Sequence, residues 1–552
     1  MKENTQHNQA VNPHEANAGW AILQTLKNYG VHTIFGIPGT HNLEFYRHLP
    51  RLGIRAITAR HEQGAGYAAD AFAVVTGEPG VVITTSGPGV LNALSAMGNA
   101  YCESRPMIVL SPGAPRGQEG SDRGLLHETK DPVGAVSSVA LWSRRVDSAS
   151  EAISHLHEAF EMFRTGRPRP VHLEVPLDVL EAPADMAEAD LVAREMPPPA
   201  QASAASLDEA IQALRHSTHP VIVAGGGARA AGESLTRLAE ELQAPVVTTL
   251  NGKGAIAESH PLSLGADIRL KPAVELINAA DAVVMVGTKV GEAELWGEEF
   301  APTGTVIRVD RVEERLRVNW NPDIALHGDA ATVIPTLLAG VAGATRQERD
   351  LSVVKAALHQ AATEVSADMV AVSEAIVASL PGDVIVCGDS SQVTYFGMAS
   401  VFRASGPGRF LYTPTFATLG YGLPAAVGAQ AAAPDVPVVA VVGDGALMFS
   451  IQELATAIEQ RMSMVVVCVD NGGYGEIKAN EAAVGISPIG VDLHQPDWAA
   501  LADAFGATGH RVSSPQDLGA AMSAALSQGG VHLIHLPVDV FLHHSSHAKK
   551  GK

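Results

Sequence analysis

Two polar clusters stand at the ends of consecutive apolar runs: GDG (Gly443 to Gly445) follows PVVAVV, and DNGG (Asp470 to Gly473) follows MVVVCV. A helix beginning near Ser450 separates them, so the segment reads as strand, turn, helix, strand, turn. Both clusters then fall at the carboxyl edge of a parallel sheet, where open α/β folds bind ligands. Asp444, Asn471 and main-chain carbonyls are hard oxygen ligands, suited to a magnesium ion that also grips a phosphate group. Gly443 and Gly445 let main-chain N–H groups come close to that phosphate. Either turn alone is an ordinary glycine-rich connection; two in consecutive units are a more specific signal.

A second candidate lies in RHEQGAGYAADAFAVVTG. Glu62 begins a helix with Gly64, Ala65, Ala68, Ala69 and Ala71 on one face, small enough for another backbone or a flat ligand to approach. A poorly solvated carboxylate there would keep a proton near neutral pH and share it with a heterocycle nitrogen. A glutamate favoured by the helix dipole is the plainer explanation of the same residue.

The elements that must carry these residues form three α/β blocks, expected over 1–190, 205–345 and 351–545. The fold class expected is α/β, with three consecutive doubly wound parallel-sheet domains. The first holds an amphipathic helix (Ala16 to Asn28), then HTIFGI, VVITT and MIVLS; the second holds HPVIVAGGG, DAVVMVG and TVIRVD; the third holds DVIVCGD, PVVAVVGD, MVVVCVDN and VHLIHLPV. LVAREMPPPAQASAAS reads as a linker, and the tail HHSSHAKKGK as frayed. The chain has 552 residues, 46% hydrophobic and 18% charged, with a net charge of −21. That charge argues against nucleic acid or an anionic membrane as partner. Cys102, Cys387 and Cys468 lie in or beside apolar runs, which suits a reducing compartment. With no apolar leader and no apolar run long enough to cross a bilayer, a cytoplasmic location is expected.

FGIPG, RHEQGAGYAADAFA, TSGPGVLNAL, GYGLPAAVGA and GDGALMF…VDNGGYGEI together resemble the thiamine-diphosphate enzymes related to acetohydroxyacid synthase, pyruvate oxidase and benzoylformate decarboxylase, over almost the whole chain. The resemblance implies the thiamine-diphosphate-binding fold, with pyrimidine, central and diphosphate domains in that order. It implies that Glu62 hydrogen-bonds the aminopyrimidine ring and favours the tautomer that removes the thiazolium proton. Asp444 and Asn471 match the magnesium ligands, with the Gly473 carbonyl as a third; Asp470, where the group usually has asparagine, is not at a ligand position. Ser391, Gln392, Gly443, Gly445, Ala446 and Tyr474 match cofactor contacts. The Ala417 carbonyl would accept from the 4′-amino group, and Leu419 would wedge the bent cofactor or sit as plain core. Active sites of the group lie between subunits, which implies a homodimer or homotetramer. GGGAR in the central block is too weak a signal for FAD, which is not expected.

Substrate choice rests on the pocket edges. The resemblance places Thr40 and His41 in PGTHN near the substrate carboxylate or the reacting carbon, and His127 with Glu128 in LLHETKD on a loop that reaches the cofactor. The adjacent-histidine pair of pyruvate decarboxylases is missing. Glu476 replaces the apolar residue usual in acetohydroxyacid synthases, and a carboxylate there is costly to bury without a cation or a proton. GIPGTHNLEFYR, GDSSQ and DNGGYGEI look most similar to the branch that decarboxylates 5-guanidino-2-oxopentanoate. The expected activity is non-oxidative decarboxylation of a 2-oxo acid to CO2 and an aldehyde. The alternatives are an acetolactate-synthase-type carboligase, which passes the fragment to a second carbonyl, and a cofactor-binding protein without catalysis.

Overall fold

A computed structural model describes residues 16–541, except 185, 344 and 345. The HHSSHAKKGK tail lies outside the described residues, as do the start of the expected first domain before 16 and the end of the expected third after 541.

The strands are short, rich in valine and isoleucine and buried on both faces, as in Met464–Asp470 and Pro170–Pro176. Such runs suit the interior of parallel sheets covered by helices. They form three separate parallel sheets. The first runs, edge to edge, Arg55–Thr58, Thr33–Gly36, Gly80–Ile83, Met107–Gly113, Pro170–Pro176 and Trp142–Arg145. The second runs Ile324–His327, Thr305–Asp310, Ala282–Val286, Pro220–Ala224 and Val246–Thr248. The third runs Phe410–Leu411, Ile385–Gly388, Val438–Gly443, Met464–Asp470, Val531–Pro537 and Thr508–Arg511. Counted along the chain within each sheet, the first and third share one strand order, 2-1-3-4-6-5. The recurrence expected from sequence is therefore one of topology.

The small-residue face of the helix Glu62–Thr76 meets the helix Gly422–Ala432 of the third unit, so its neighbour is a backbone rather than a flat ligand. A Cβ on Gly428 would lie 2.0 Å from the Ala68 carbonyl oxygen, a separation only glycine permits. Tyr421 donates its hydroxyl to Asp70 Oδ2 at 2.9 Å across the interface, and its ring meets Tyr67 edge-on at 5.6 Å. One apolar cluster runs through both units, from Phe35 and Val109 to Ala440 and Val466. Among the described residues no helix is long and apolar enough to cross a membrane, and the three cysteines are unpaired.

Asp70 is wholly buried and its Oδ1 has no partner. Burial pushes its carboxyl up to about 6, against smaller opposing pulls from Arg105 and the Tyr421 hydroxyl. A raised carboxyl stabilises the fold in its protonated form: the contribution is complete below the unfolded value and is lost as pH rises through about 6. Asp70→Asn keeps an acceptor for Tyr421 but cannot ionise. Its thermal midpoint should gain on the wild type as pH rises from about 4 to about 6.5, by the equivalent of roughly 1–3 kcal/mol, and hold that gain above. A gap that does not change with pH would mean that Asp70 does not titrate in this range.

Candidate active site

Polar side chains gather at the carboxyl edge of the third sheet because three strands end there in GDSSQ, GDG and DNGG. Gly443 donates its N–H to Ser391 Oγ at 2.9 Å. A Cβ on Gly445 would lie 2.9 Å from the Tyr474 ring, and one on Gly473, whose φ is +143°, would lie 2.1 Å from the Val491 carbonyl oxygen. Gly445 thus lets the Asp444 turn touch the segment after Asn471, and Gly473 lets that segment pack on Val491. Asp444 is 1% exposed, with Oδ2 accepting from Gln495 Nε2 at 2.6 Å. The Asn471 side-chain oxygen lies 2.9 Å from the Gly473 carbonyl oxygen and 3.2 Å from Asp444 Oδ1; the opposite amide orientation would donate to both.

Oxygens around magnesium at 2.0–2.1 Å in an octahedron are spaced at about 2.9 Å, close to the two separations that Asn471 makes here. Burial, then the charge of Asp470, push the Asp444 carboxyl up to about 6, the mark of a carboxylate short of positive charge. Asp444, Asn471 and the Gly473 carbonyl could therefore hold a hard divalent cation. Asp470 is engaged elsewhere: Gly472 N–H donates to Oδ1 at 2.9 Å, and His535 Nε2 lies 2.8 Å from Oδ2.

Gln392 links this cluster to Glu476. Its Nε2 donates to Glu476 Oε2 at 3.0 Å, and its Oε1 accepts from Asn471 Nδ2 at 3.1 Å. Glu476 sits in the first turn of the helix Gly475–Ala483 and is half-buried. Tyr395, on a π-helical turn (Val393–Met398), faces the Glu476 carboxylate; burial, then that charge, raise its hydroxyl far above its ordinary range. Leu419 is half-buried rather than core, and Ala417 is exposed with φ +52°, in the left-handed region. The segment bearing them is held downstream by Asp389, which accepts from Gly420 N–H at 3.0 Å and Gly422 N–H at 2.7 Å.

The first sheet supplies a separate group. His41 Nδ1 is 2.6 Å from Ser86 Oγ, and Ser86 Oγ is 3.3 Å from His127 Nδ1. Three βα turns thus converge on one serine, beside a cavity of about 490 Å³ that reaches Arg145 and Glu174. Burial, then the neighbouring His127, lower the His41 pKa. Glu128 faces its own loop, accepting from the Gly124 and Leu125 N–H groups. Glu62 is 7% exposed and accepts from Asn92 Nδ2 at 3.0 Å.

Asp444, Asn471, Gly473, Tyr474, Ser391, Gln392 and Glu476 are thus neighbours, while His41 and His127 form a second group. Among the described residues no hydrogen bond joins the two. Ser86, Asn92, Gln495 and Tyr395 were not singled out from sequence. Ser86 stands in TSGPG and was within reach, but a lone glutamine such as Gln495 carries no local signal. In the central sheet, Gly225 and Gly227 pack on Gly287 and Thr288, so close backbone packing accounts for the GGGAR glycines.

Comparison with known proteins agrees with this architecture. Residues 16–135, 207–337 and 392–536 match the N-terminal thiamine-pyrophosphate-binding, central and C-terminal thiamine-pyrophosphate-binding domains of thiamine pyrophosphate enzymes. The chain is 38% identical to a probable 2-ketoarginine decarboxylase of Pseudomonas aeruginosa, over 94% of this chain and 93% of the relative. It is 31% identical to a probable acetolactate synthase large subunit of Methanocaldococcus jannaschii, over 94% and 91%. It is 30% identical to the acetolactate synthase isozyme 3 large subunit of Escherichia coli, over 92% of each. The oxygen cluster at the third sheet, the buried glutamate on the first and these full-length similarities lead to one conclusion: the chain belongs to the thiamine pyrophosphate enzyme family.

Proposed function

We propose that the protein decarboxylates a 2-oxo acid with a cationic tail, of which 5-guanidino-2-oxopentanoate is the leading candidate, to CO2 and an aldehyde. The observation that carries this reading is Glu476, a half-buried carboxylate tied through Gln392 to the oxygen cluster. A guanidinium forms bidentate, charge-assisted hydrogen bonds with a carboxylate. The similarity to a probable 2-ketoarginine decarboxylase supports the same substrate. The similarity to acetolactate synthases keeps a carboligase as the second reading.

Bound thiamine diphosphate supplies a carbon nucleophile and an electron sink. The protein's part is to bind, orient and manage protons. Asp444, Asn471 and the Gly473 carbonyl would hold magnesium. Ser391, Gln392, Gly443, Gly445, Ala446 and Tyr474 would contact the diphosphate. The Ala417 carbonyl and Leu419 would orient the rings. Glu62 would hydrogen-bond a ring nitrogen, and its burial would shield that contact from water. His41, engaged by Ser86 through Nδ1, presents Nε2 to hold or deliver a proton, with His127 behind it. Membership of this family supports a homodimer or homotetramer whose active sites lie between subunits.

A panel of 2-oxo acids offered with thiamine diphosphate and Mg2+, with product identification, tests the reading; an acyloin product would favour the carboligase. Glu62→Gln should fold and bind cofactor but lose about 10²–10⁴-fold in activity. Turnover near the wild-type rate would remove Glu62 from its role. Asp444→Ala, like EDTA treatment of the wild type, should weaken cofactor binding measured by calorimetry. Unchanged affinity in both experiments would refute the metal assignment. Glu476→Gln should cost about 1.5–3 kcal/mol in kcat/KM for the guanidino substrate and little for an apolar 2-oxo acid of equal length. Equal losses would point instead to proton transfer at Glu476.

A further inference from the structure

The segment Thr413–Gly422 carries both residues assigned above to the rings of the cofactor, and it contains a strained position. Ala417 has φ +52°, a conformation that costs a non-glycine residue roughly 1–2 kcal/mol and persists only where the surroundings impose it. Asp389 holds the downstream end. In the middle, Thr418 Oγ1 lies 2.7 Å from the Tyr67 hydroxyl, on the helix that begins at Glu62.

The upstream end is held by a residue of another unit. Glu103 closes the helix Leu94–Glu103 of the first unit and is 5% exposed. Its Oε1 accepts from Thr415 N–H at 2.7 Å and from Phe416 N–H at 3.1 Å, immediately before Ala417. Its Oε2 accepts from Asn251 Nδ2 of the central unit at 2.6 Å. Asn251 is held in turn by Arg105 Nη2 at 2.7 Å, and Lys289 Nζ of the central unit donates to the Cys102 carbonyl at 2.5 Å. The Phe416 ring fills the notch at Gly98, where a Cβ would lie 2.8 Å from it. One buried carboxylate therefore joins all three units and grips the main chain next to the strained residue.

We propose that Glu103 is a positioning residue for cofactor binding: it imposes the left-handed turn at Ala417 and through Asn251 ties that turn to the central unit. An isosteric glutamine cannot replace it. Two main-chain donors, one amide donor and the Thr415 hydroxyl at 3.4 Å converge on its two oxygens, and an amide would turn an NH2 group toward one side. The proposal rests on the reading of Thr413–Gly422 as the segment that touches the cofactor rings.

Hydrogen exchange of peptides spanning 413–420, read on full-length protein without cofactor, tests the positioning; calorimetric affinity for thiamine diphosphate with Mg2+ tests its consequence. Glu103→Gln should speed exchange in those peptides selectively and weaken cofactor affinity by about ten- to a hundredfold, the range for losing charge-assisted hydrogen bonds. Glu103→Asp, which keeps the charge but shortens the reach, should shift both readouts the same way by less. Asn251→Ala, which leaves both main-chain bonds to Glu103 in place, should loosen the segment less than Glu103→Gln. Unchanged exchange in Glu103→Gln would overturn the role of Glu103 and leave the segment's contact with the cofactor standing. Faster exchange with unchanged affinity would overturn the reading of the segment, and the proposal with it. Global unfolding of both Glu103 variants would also overturn it, since Glu103 would then hold the fold rather than the turn.

Discussion

The close approach of the helix Glu62–Thr76 to the helix Gly422–Ala432 is the constraint on which the other geometry depends. A methyl group on Gly428 would drive these backbones apart. Glu62 starts one helix, and the segment with Ala417 and Leu419 leads into the other. Their spacing therefore decides where a buried carboxylate and a strained carbonyl stand relative to one another. Packing at this distance requires small residues along the contact. The polar groups it encloses must then find partners there, as the Asp70–Tyr421 and Tyr67–Thr418 pairs do.

Desolvation is the second organising force. Asp70, Asp389 and Asp444 are all held near 6 by burial. Asp389 is satisfied by the Gly420 and Gly422 N–H groups, and Asp70 accepts from Tyr421 at one of its two oxygens. Asp444 differs, because the oxygens of Asn471 and Gly473 crowd one side of it. A site of this kind could hold a cation, whereas the other two carboxyls brace the main chain and the helix contact. The same residue type in similarly dry surroundings thus meets different neighbours: donors alone around Asp389, and both a donor and crowded oxygens around Asp444.

The fold class and the clustering of GDSSQ, GDG and DNGG were legible in the sequence, because strand–turn–helix periodicity and the turn residues are local properties. Asp444 and Asn471 could be named for the same reason, each at a fixed offset from the end of a strand, whereas Glu62 needed the family resemblance because its local pattern equally suits a helix-start glutamate. What faces the small-residue stripe was not legible, since a helix and a flat ligand make the same demand for small side chains. Nor were the long-range hydrogen bonds of Glu103 to residues 415 and 416 or of Gln495 to Asp444, which join parts of the chain with no shared local pattern. The sequence alone determined which groups stand at the strand ends, through the alternation of apolar runs and glycine-rich turns. Only the tertiary structure decided which of them meet, because helix packing distance and the direction of each hydrogen bond depend on elements hundreds of residues apart.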